Sequence, residues 1–377
     1  MLMETIFRPE LISRIQNNFG YKFIDGWDIT PYDDHRFHIL YDKIAAHRRD
    51  SYAPEEKFLI GYHDIDYHLN GAGLAIYNFN TIIQQLDIDP CRFVVLTTHY
   101  DSKQDWLRYC TSKNNQFHVI ENFVCTRYWQ SLQQIPQITT NCQHHFCCMI
   151  GISREHRDIL TKFLVKRDLV NKNVMALNLQ PGLTYYQPHK LENNRPPDQN
   201  HAHFSFVYTT PFNRSNGGWK YNDFIQNEIL PVRLTLPYKN SKIDDTINQS
   251  TSRYRCEWYQ DIFVDLVAET VFNYPRAFVT EKTLRPIVSG RPFIVAGAPR
   301  TLECLHKHGF KTFNKFWSEG YDQIVDPNDR LTTIMNLIDE ISCWSMQQCQ
   351  DLLEQMRPIL EHNLNVYANL VEQTNLQ

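Results

Sequence analysis

A chain of 377 residues, 42% hydrophobic and 21% charged, carries more apolar material than one ordinary core uses and suits two α/β domains. Its net charge of -4 excludes a general attraction to nucleic acid or to an anionic membrane, so an anionic ligand has to be held by local cations. Ten cysteines, scattered without the framework of a small disulfide-bonded domain, read as free thiols in a reducing compartment.

The opening residues, 1–20, are charged early and hold no long apolar core, so they read as neither signal peptide nor membrane anchor. No later stretch approaches the roughly 18 apolar residues of a spanning helix. The expected location is the cytoplasm.

Residues 57–62, KFLIGY, form a short apolar strand that runs into a polar cluster, His63, Asp64, Ile65, Asp66, Tyr67 and His68. Ile76, Phe79, Ile82, Ile83 and Leu86 then fall at helical spacing, and 93–96 read as a second strand. This is a βαβ unit of ordinary length. Residues 116–120 continue the same domain.

Asp64 and Asp66 follow an apolar strand as Asp-x-Asp. Paired carboxylates suit Mg²⁺ or Mn²⁺ on a diphosphate, as in single-domain GT-A glycosyltransferases. Solvated loop acids are the plainer alternative.

A second domain starts near His144. Residues 144–151 read as a strand, Ser153, Arg154, Glu155, His156 and Arg157 follow, and Ile159, Leu160, Phe163 and Leu164 carry a helix. Strand, polar turn and helix start form a unit able to receive phosphate. Arg154 and Arg157 suit bidentate contacts to a diphosphate; an exposed basic first turn is the alternative. Cys142, His144, His145, Cys147 and Cys148 match no zinc module, since adjacent strand residues point to opposite faces. Residues 180–203 and 239–252 read as exposed loops, 203–209 as a strand, and 213–219 as a turn.

The richest stretch is 263–313. An apolar run, 263–268, ends in Glu269. Thr280 is a good N-cap, Glu281 sits where a helix dipole favours an anion, and Leu284, Ile287 and Val288 make one apolar face. Gly290 fits a left-handed position at the helix end. Pro286 lies inside the helix and removes one backbone bond. Residues 293–296 read as a strand buried on both faces, Gly297, Ala298 and Pro299 as a turn, and Leu302 and Leu305 as a short helix that stops at Gly309. Two further helices close the chain. Leu331, Ile334, Leu337 and Ile338 mark the first. Leu352, Leu353, Met356, Leu360 and Leu364 mark the second, which contains Pro358.

Glu269, Phe278, Thr280, Glu281 and Lys282 resemble the donor-binding signature of the fucosyltransferases of the GT-B type. In that family a strand ends in a Glu, and an aromatic-x-Thr-Glu-Lys run opens the next helix. Gly290, Pro292, Phe293, Ile294 and Val295 resemble the family's closing Gly-x-x-Pro-Val-Val strand. The chain departs at Thr270 and Val271, where the family usually has Asn-Ser, and at Pro286.

The resemblance implies an α/β fold of the GT-B type, with two Rossmann-like domains facing a central cleft. The expected division is 1–140 for the acceptor-side domain, 141–345 for the nucleotide-sugar domain, and 346–377 for a helix crossing back. The implied activity is glycosyl transfer from a nucleotide sugar, a GDP sugar such as GDP-fucose above all, to a glycan or other hydroxyl acceptor. Arg154, Arg157, Glu269, Thr280, Glu281 and Lys282 are the expected donor-side residues, and no metal or further cofactor is needed. On this reading His63, Asp64 or Asp66 takes the proton of the attacking hydroxyl. Two other readings stay open. One is the metal-dependent GT-A enzyme built on Asp64 and Asp66. The other is a non-catalytic protein that binds glycans or partners on a glycosyltransferase fold.

Overall fold

The structure is a computed structural model, and it describes residues 13, 17, 21–25, 57–62, 84–87, 92–97, 118–121, 137–150, 155–170, 172–177, 234–235, 259–273 and 277–376. The chain divides into two compact units, Met1–Arg127 with Leu370–Gln377, and Tyr128–Asn369. Both contain parallel sheet, so the fold is mixed α/β. No described helix is long and apolar enough to cross a membrane.

In the first unit, β1 (Tyr21–Asp25), β2 (Lys57–Tyr62), β3 (Phe93–Thr97) and β4 (His118–Glu121) form one sheet in that order. Every pairing is parallel, with Ile60 opposite both Ile24 and Val95. Neighbouring parallel strands require crossover connections; the helix expected between β2 and β3 lies, apart from residues 84–87, outside the described residues. Strand β1 escapes the sequence reading because YKFID is short and mixes apolar and charged residues. His63, Asp64 and Asp66 lie outside the described residues.

The second unit begins with β5 (His144–Ile150), α1 (Glu155–Lys166), β6 (Val174–Leu177) and the two-residue β7 (Leu234–Thr235). Then come β8 (Ile262–Ala268), α2 (Glu281–Val288), β9 (Phe293–Ala296) and α3 (Thr301–Lys307). A 3-10 turn, Gly320–Gln323, leads to α4 (Pro327–Ser342) and the long α5 (Met346–Leu376), whose residues from Leu370 onward fall in the first unit. The sheet order is β7-β6-β5-β8-β9. Only β7 is antiparallel. From β5 the chain goes to β6 on one side and later to β8 on the other, so the strand order reverses between β5 and β8.

The core explains the apolar patterns. Strands β8 and β9 are buried along their whole length, as befits parallel strands covered on both faces. Helix α2 has eight residues, too few to persist alone. Leu284, Ile287 and Val288 are buried, each contributing about 1.5–3 kcal/mol. The Thr280 side chain caps α2 by accepting from the Lys282 N–H at 3.3 Å, and Gly290 takes φ +62° just beyond its end. Pro286 is accommodated inside α2. In the same way α5 continues through Pro358, with Leu353, Met356, Leu360 and Leu364 buried.

Two buried arginines tie the loops to the sheet. At the amino end of β9, Arg291 donates to the Tyr259, Gln260 and Thr139 carbonyls. At the carboxyl ends, Arg330 of α4 donates to the carbonyls of Phe272 at 2.6 Å, Gly297 at 3.2 Å, Ile324 at 2.7 Å and Val325 at 3.0 Å. His144 and His145 direct ring nitrogens at the carbonyls of Lys172 and Trp344. Cys142, Cys147, Cys148, Cys304 and Cys349 are buried free thiols.

Candidate functional site

In an open parallel sheet, ligands bind outside the carboxyl ends of the strands where the strand order reverses. Here that point lies between β5 and β8. Three segments meet there: the first turn of α1, the residues after β8, and the start of α2.

Glu269 follows β8 directly and has no exposed surface. Its Oε1 accepts from Thr280 N (2.9 Å), Thr283 N (3.3 Å) and Thr283 Oγ1 (2.7 Å). Its Oε2 accepts from Thr270 N (2.9 Å) and Thr280 Oγ1 (2.7 Å). A helix start leaves its first N–H groups without intrahelical partners, and this carboxylate satisfies those of Thr280 and Thr283 from outside α2. Thr280 is likewise fully buried. The expectation that both touch a ligand therefore meets two side chains whose polar atoms are already taken within the chain. Their visible work is to hold α2 against the end of β8.

The backbone at Glu269 is held from the other side. Its carbonyl accepts from Arg157 Nη2 at 2.8 Å and lies 3.0 Å from His156 Nε2. Both residues are buried in the first turn of α1, so Arg157 brings its charge to the reversal point while bonded to backbone. Arg154 lies outside the described residues.

Lys282 and Glu281 are the parts that still meet solvent, at 18% and 17% side-chain exposure. Lys282 Nζ donates to Glu281 Oε1 at 2.7 Å, Thr270 Oγ1 at 3.0 Å and Thr280 Oγ1 at 3.3 Å. Burial lowers its ammonium below the ordinary lysine value, while the carboxylates of Glu281 and Glu269 pull it back up. For Glu281, burial alone would raise the carboxyl. The charges of Lys282 and Arg285, with the hydrogen bond from Lys282, outweigh this and bring it down to about 2. Arg285 stands one helical turn on, its Nη2 3.8 Å from Glu281 Oε1.

Beneath these lies Asp265, buried within β8. Burial pushes its carboxyl up to about 7, against the hydrogen bond that Tyr259 Oη donates at 2.7 Å and the charge of Arg285. Sequence reading passed over Asp265, although a lone acid inside an apolar run is a signal in itself. It also passed over Arg285, whose i,i+4 spacing from Glu281 was visible. His156 and Arg330 gave no comparable sign, because their partners are distant in sequence.

The site thus gathers three cations, Arg157, Lys282 and Arg285, around two carboxylates, Glu269 and Glu281, with Asp265 below. Among the described residues of the site, Lys282 and Glu281 are the partly open ones. Such an arrangement suits an anionic ligand at Lys282 and a hydroxyl donor at Glu281.

No protein-family model matches the chain, and no curated protein matches it. Among solved structures, a UDP-forming α,α-trehalose-phosphate synthase from Burkholderia xenovorans aligns over 91% of this chain and 79% of that chain. The TM-score is 0.37 and the identity 10%. A likeness this distant carries no argument about fold or activity.

Proposed function

We propose that the chain is a GT-B-type glycosyltransferase that moves a sugar from a nucleotide-sugar donor, preferably a GDP sugar such as GDP-fucose, to a glycan or other hydroxyl acceptor. One observation carries this reading. The strand order of the second sheet reverses between β5 and β8, and the partly exposed ammonium of Lys282 stands at the start of the helix that follows β8.

In the proposed reaction the acceptor oxygen attacks the anomeric carbon of the donor. The bond from that carbon to the diphosphate breaks, and its electron pair leaves on a phosphate oxygen. Lys282 neutralises the charge developing there, which is the electrostatic contribution that commonly dominates. Arg154 and Arg157 are the proposed further cations for the diphosphate. Glu281, ionised throughout the physiological range, accepts from ribose hydroxyls. Glu269 and Thr280 keep the helix start in place. On the acceptor side, His63, Asp64 or Asp66 takes the acceptor's proton.

Calorimetric titration with GDP, UDP and CMP, followed by transfer assays with and without EDTA, tests the proposal. Binding of a nucleoside diphosphate that weakens by about 1.5–3 kcal/mol in Lys282→Ala, with turnover that survives EDTA, is the expected result. Activity abolished by EDTA would favour the metal-dependent chemistry of Asp64 and Asp66 instead. The non-catalytic reading has one observation on its side: the ammonium of Lys282 already has three acceptors within the chain. Nucleotide binding without turnover would favour it.

A further inference from the structure

Lys282 has three acceptors, but they are not equivalent. Thr280 and Glu281 belong to the same helix start as the lysine and move with it. Thr270 Oγ1, at 3.0 Å, belongs to the segment after β8 and so relates the ammonium to the sheet. The backbone around Thr270 is gripped on both sides. On one side the Glu269 carbonyl meets His156 and Arg157. On the other, the Phe272 carbonyl accepts from Arg330 Nη2 at 2.6 Å.

The Phe272 ring links the two grips. It stacks on the His156 ring, with centroids 5.0 Å apart and planes at 11°, and the Arg330 guanidinium lies 4.3 Å from its centroid. Phe272, His156 and Arg330 are all buried. Rings and guanidinium groups attract one another through the ring face, so this side chain bridges α1 and α4 at the Glu269–Phe272 segment, in addition to the direct Arg167–Asp339 ion pair between the end of α1 and α4.

We infer that Phe272 is a positioning residue for the Lys282 ammonium, acting through its stack with His156 and Arg330 and through Thr270. This rests on the reading of Lys282 as the donor-site cation. It adds a determinant that touches no ligand and lies outside the Thr-Glu-Lys run.

The test is the pH-dependent acylation of Lys282 by an N-hydroxysuccinimide acetate, mapped by mass spectrometry on the full-length protein from neutral pH to about pH 10. The charges facing Lys282 are Glu281, Glu269, Arg157 and Arg285, and none is altered by the variants used. Phe272→Leu keeps an apolar side chain but removes the stack. Thr270→Val removes only the acceptor hydroxyl, and it serves if Phe272→Leu does not fold. Phe313→Leu is the control, since Phe313 is fully buried but packs on Phe293 and Trp317.

Acylation of Lys282 should rise roughly fivefold in Phe272→Leu and in Thr270→Val, as expected when one hydrogen bond of the ammonium is released, and stay at the wild-type rate in Phe313→Leu. Unchanged acylation in the folded Phe272→Leu and Thr270→Val variants overturns the inference. So does an equal rise in Phe313→Leu. Titration of the wild-type protein with GDP and UDP reads the donor site separately. If neither binds while acylation responds as expected, the donor-site reading fails and the positioning role stands.

Discussion

Thr283 Oγ1 donates to Glu269 Oε1 at 2.7 Å across fourteen residues of chain. The contact joins the end of β8 to the first turn of α2, and both partners are fully buried. It is one of five hydrogen bonds to the Glu269 carboxylate that make this residue the hub of the site.

Glu269→Gln replaces one acceptor oxygen by an amide nitrogen that faces donors. Hydrogen bonds to a charged group contribute about 1.5–3 kcal/mol each, and leaving buried donors unmet costs more. Loss of at least about 3 kcal/mol of stability is expected, read as a lower urea midpoint. A midpoint equal to wild type would mean that Glu269 does not organise the helix start.

Lys282→Ala should leave the fold intact, since the ammonium is partly exposed. Affinity for a nucleoside diphosphate should fall by about 1.5–3 kcal/mol, the usual size of a lost charge-assisted contact. Titration calorimetry on the folded variant checks this, and undiminished affinity would move the donor site elsewhere.

Asp265 gives a pH dependence with a definite sign. Its folded value, about 7, lies above the ordinary value of 3.8, so the folded state binds the extra proton between the two. The stabilisation is complete below about pH 4 and is lost as pH rises through 7. At 1.36 kcal/mol per unit, the full change is on the order of 4 kcal/mol. Asp265→Asn removes this titration. Urea melts at pH 5 and pH 8 should therefore differ less in the variant than in the wild type. Equal pH slopes would show that Asp265 is charged in the folded protein throughout this range.

Gly290→Ala tests the end of α2. The position has φ +62°, and a Cβ there would come within 2.8 Å of Ile138 Cγ1. The left-handed backbone alone costs an L residue about 1–2 kcal/mol. Adding Ile138→Ala should recover the part due to contact and leave the backbone part. A double-mutant cycle in urea separates the two; additivity would mean that the contact contributes nothing.

The stretch 263–313 was legible almost residue by residue, because its elements are set locally. Apolar runs gave β8 and β9, Thr280 and Gly290 bounded α2, and Gly309 ended α3 with φ +90°. What stayed hidden depends on which strands become neighbours. The reversal between β5 and β8 is a fact of sheet order, and no local pattern states it. The intrachain partners of Glu269 and Thr280 stayed hidden for the same reason. A carboxylate after a strand looks free to meet a ligand until Thr283 is seen to reach it. Arg330 was invisible because its carbonyl partners at 272 and 297 are distant in sequence.

Arg291 and Arg330 also bear on how the second unit comes apart. Each satisfies carbonyls on segments distant in sequence, Arg291 at 139, 259 and 260, and Arg330 at 272 and 297 beside the local 324 and 325. Peeling away β9 or α4 alone would strand a buried cation beside abandoned carbonyls, a state several kcal/mol above either end point. Partial opening is thereby disfavoured, and β8, β9 and α4 should melt as one cooperative block. Native-state hydrogen exchange would show their slowest amides sharing a single opening free energy.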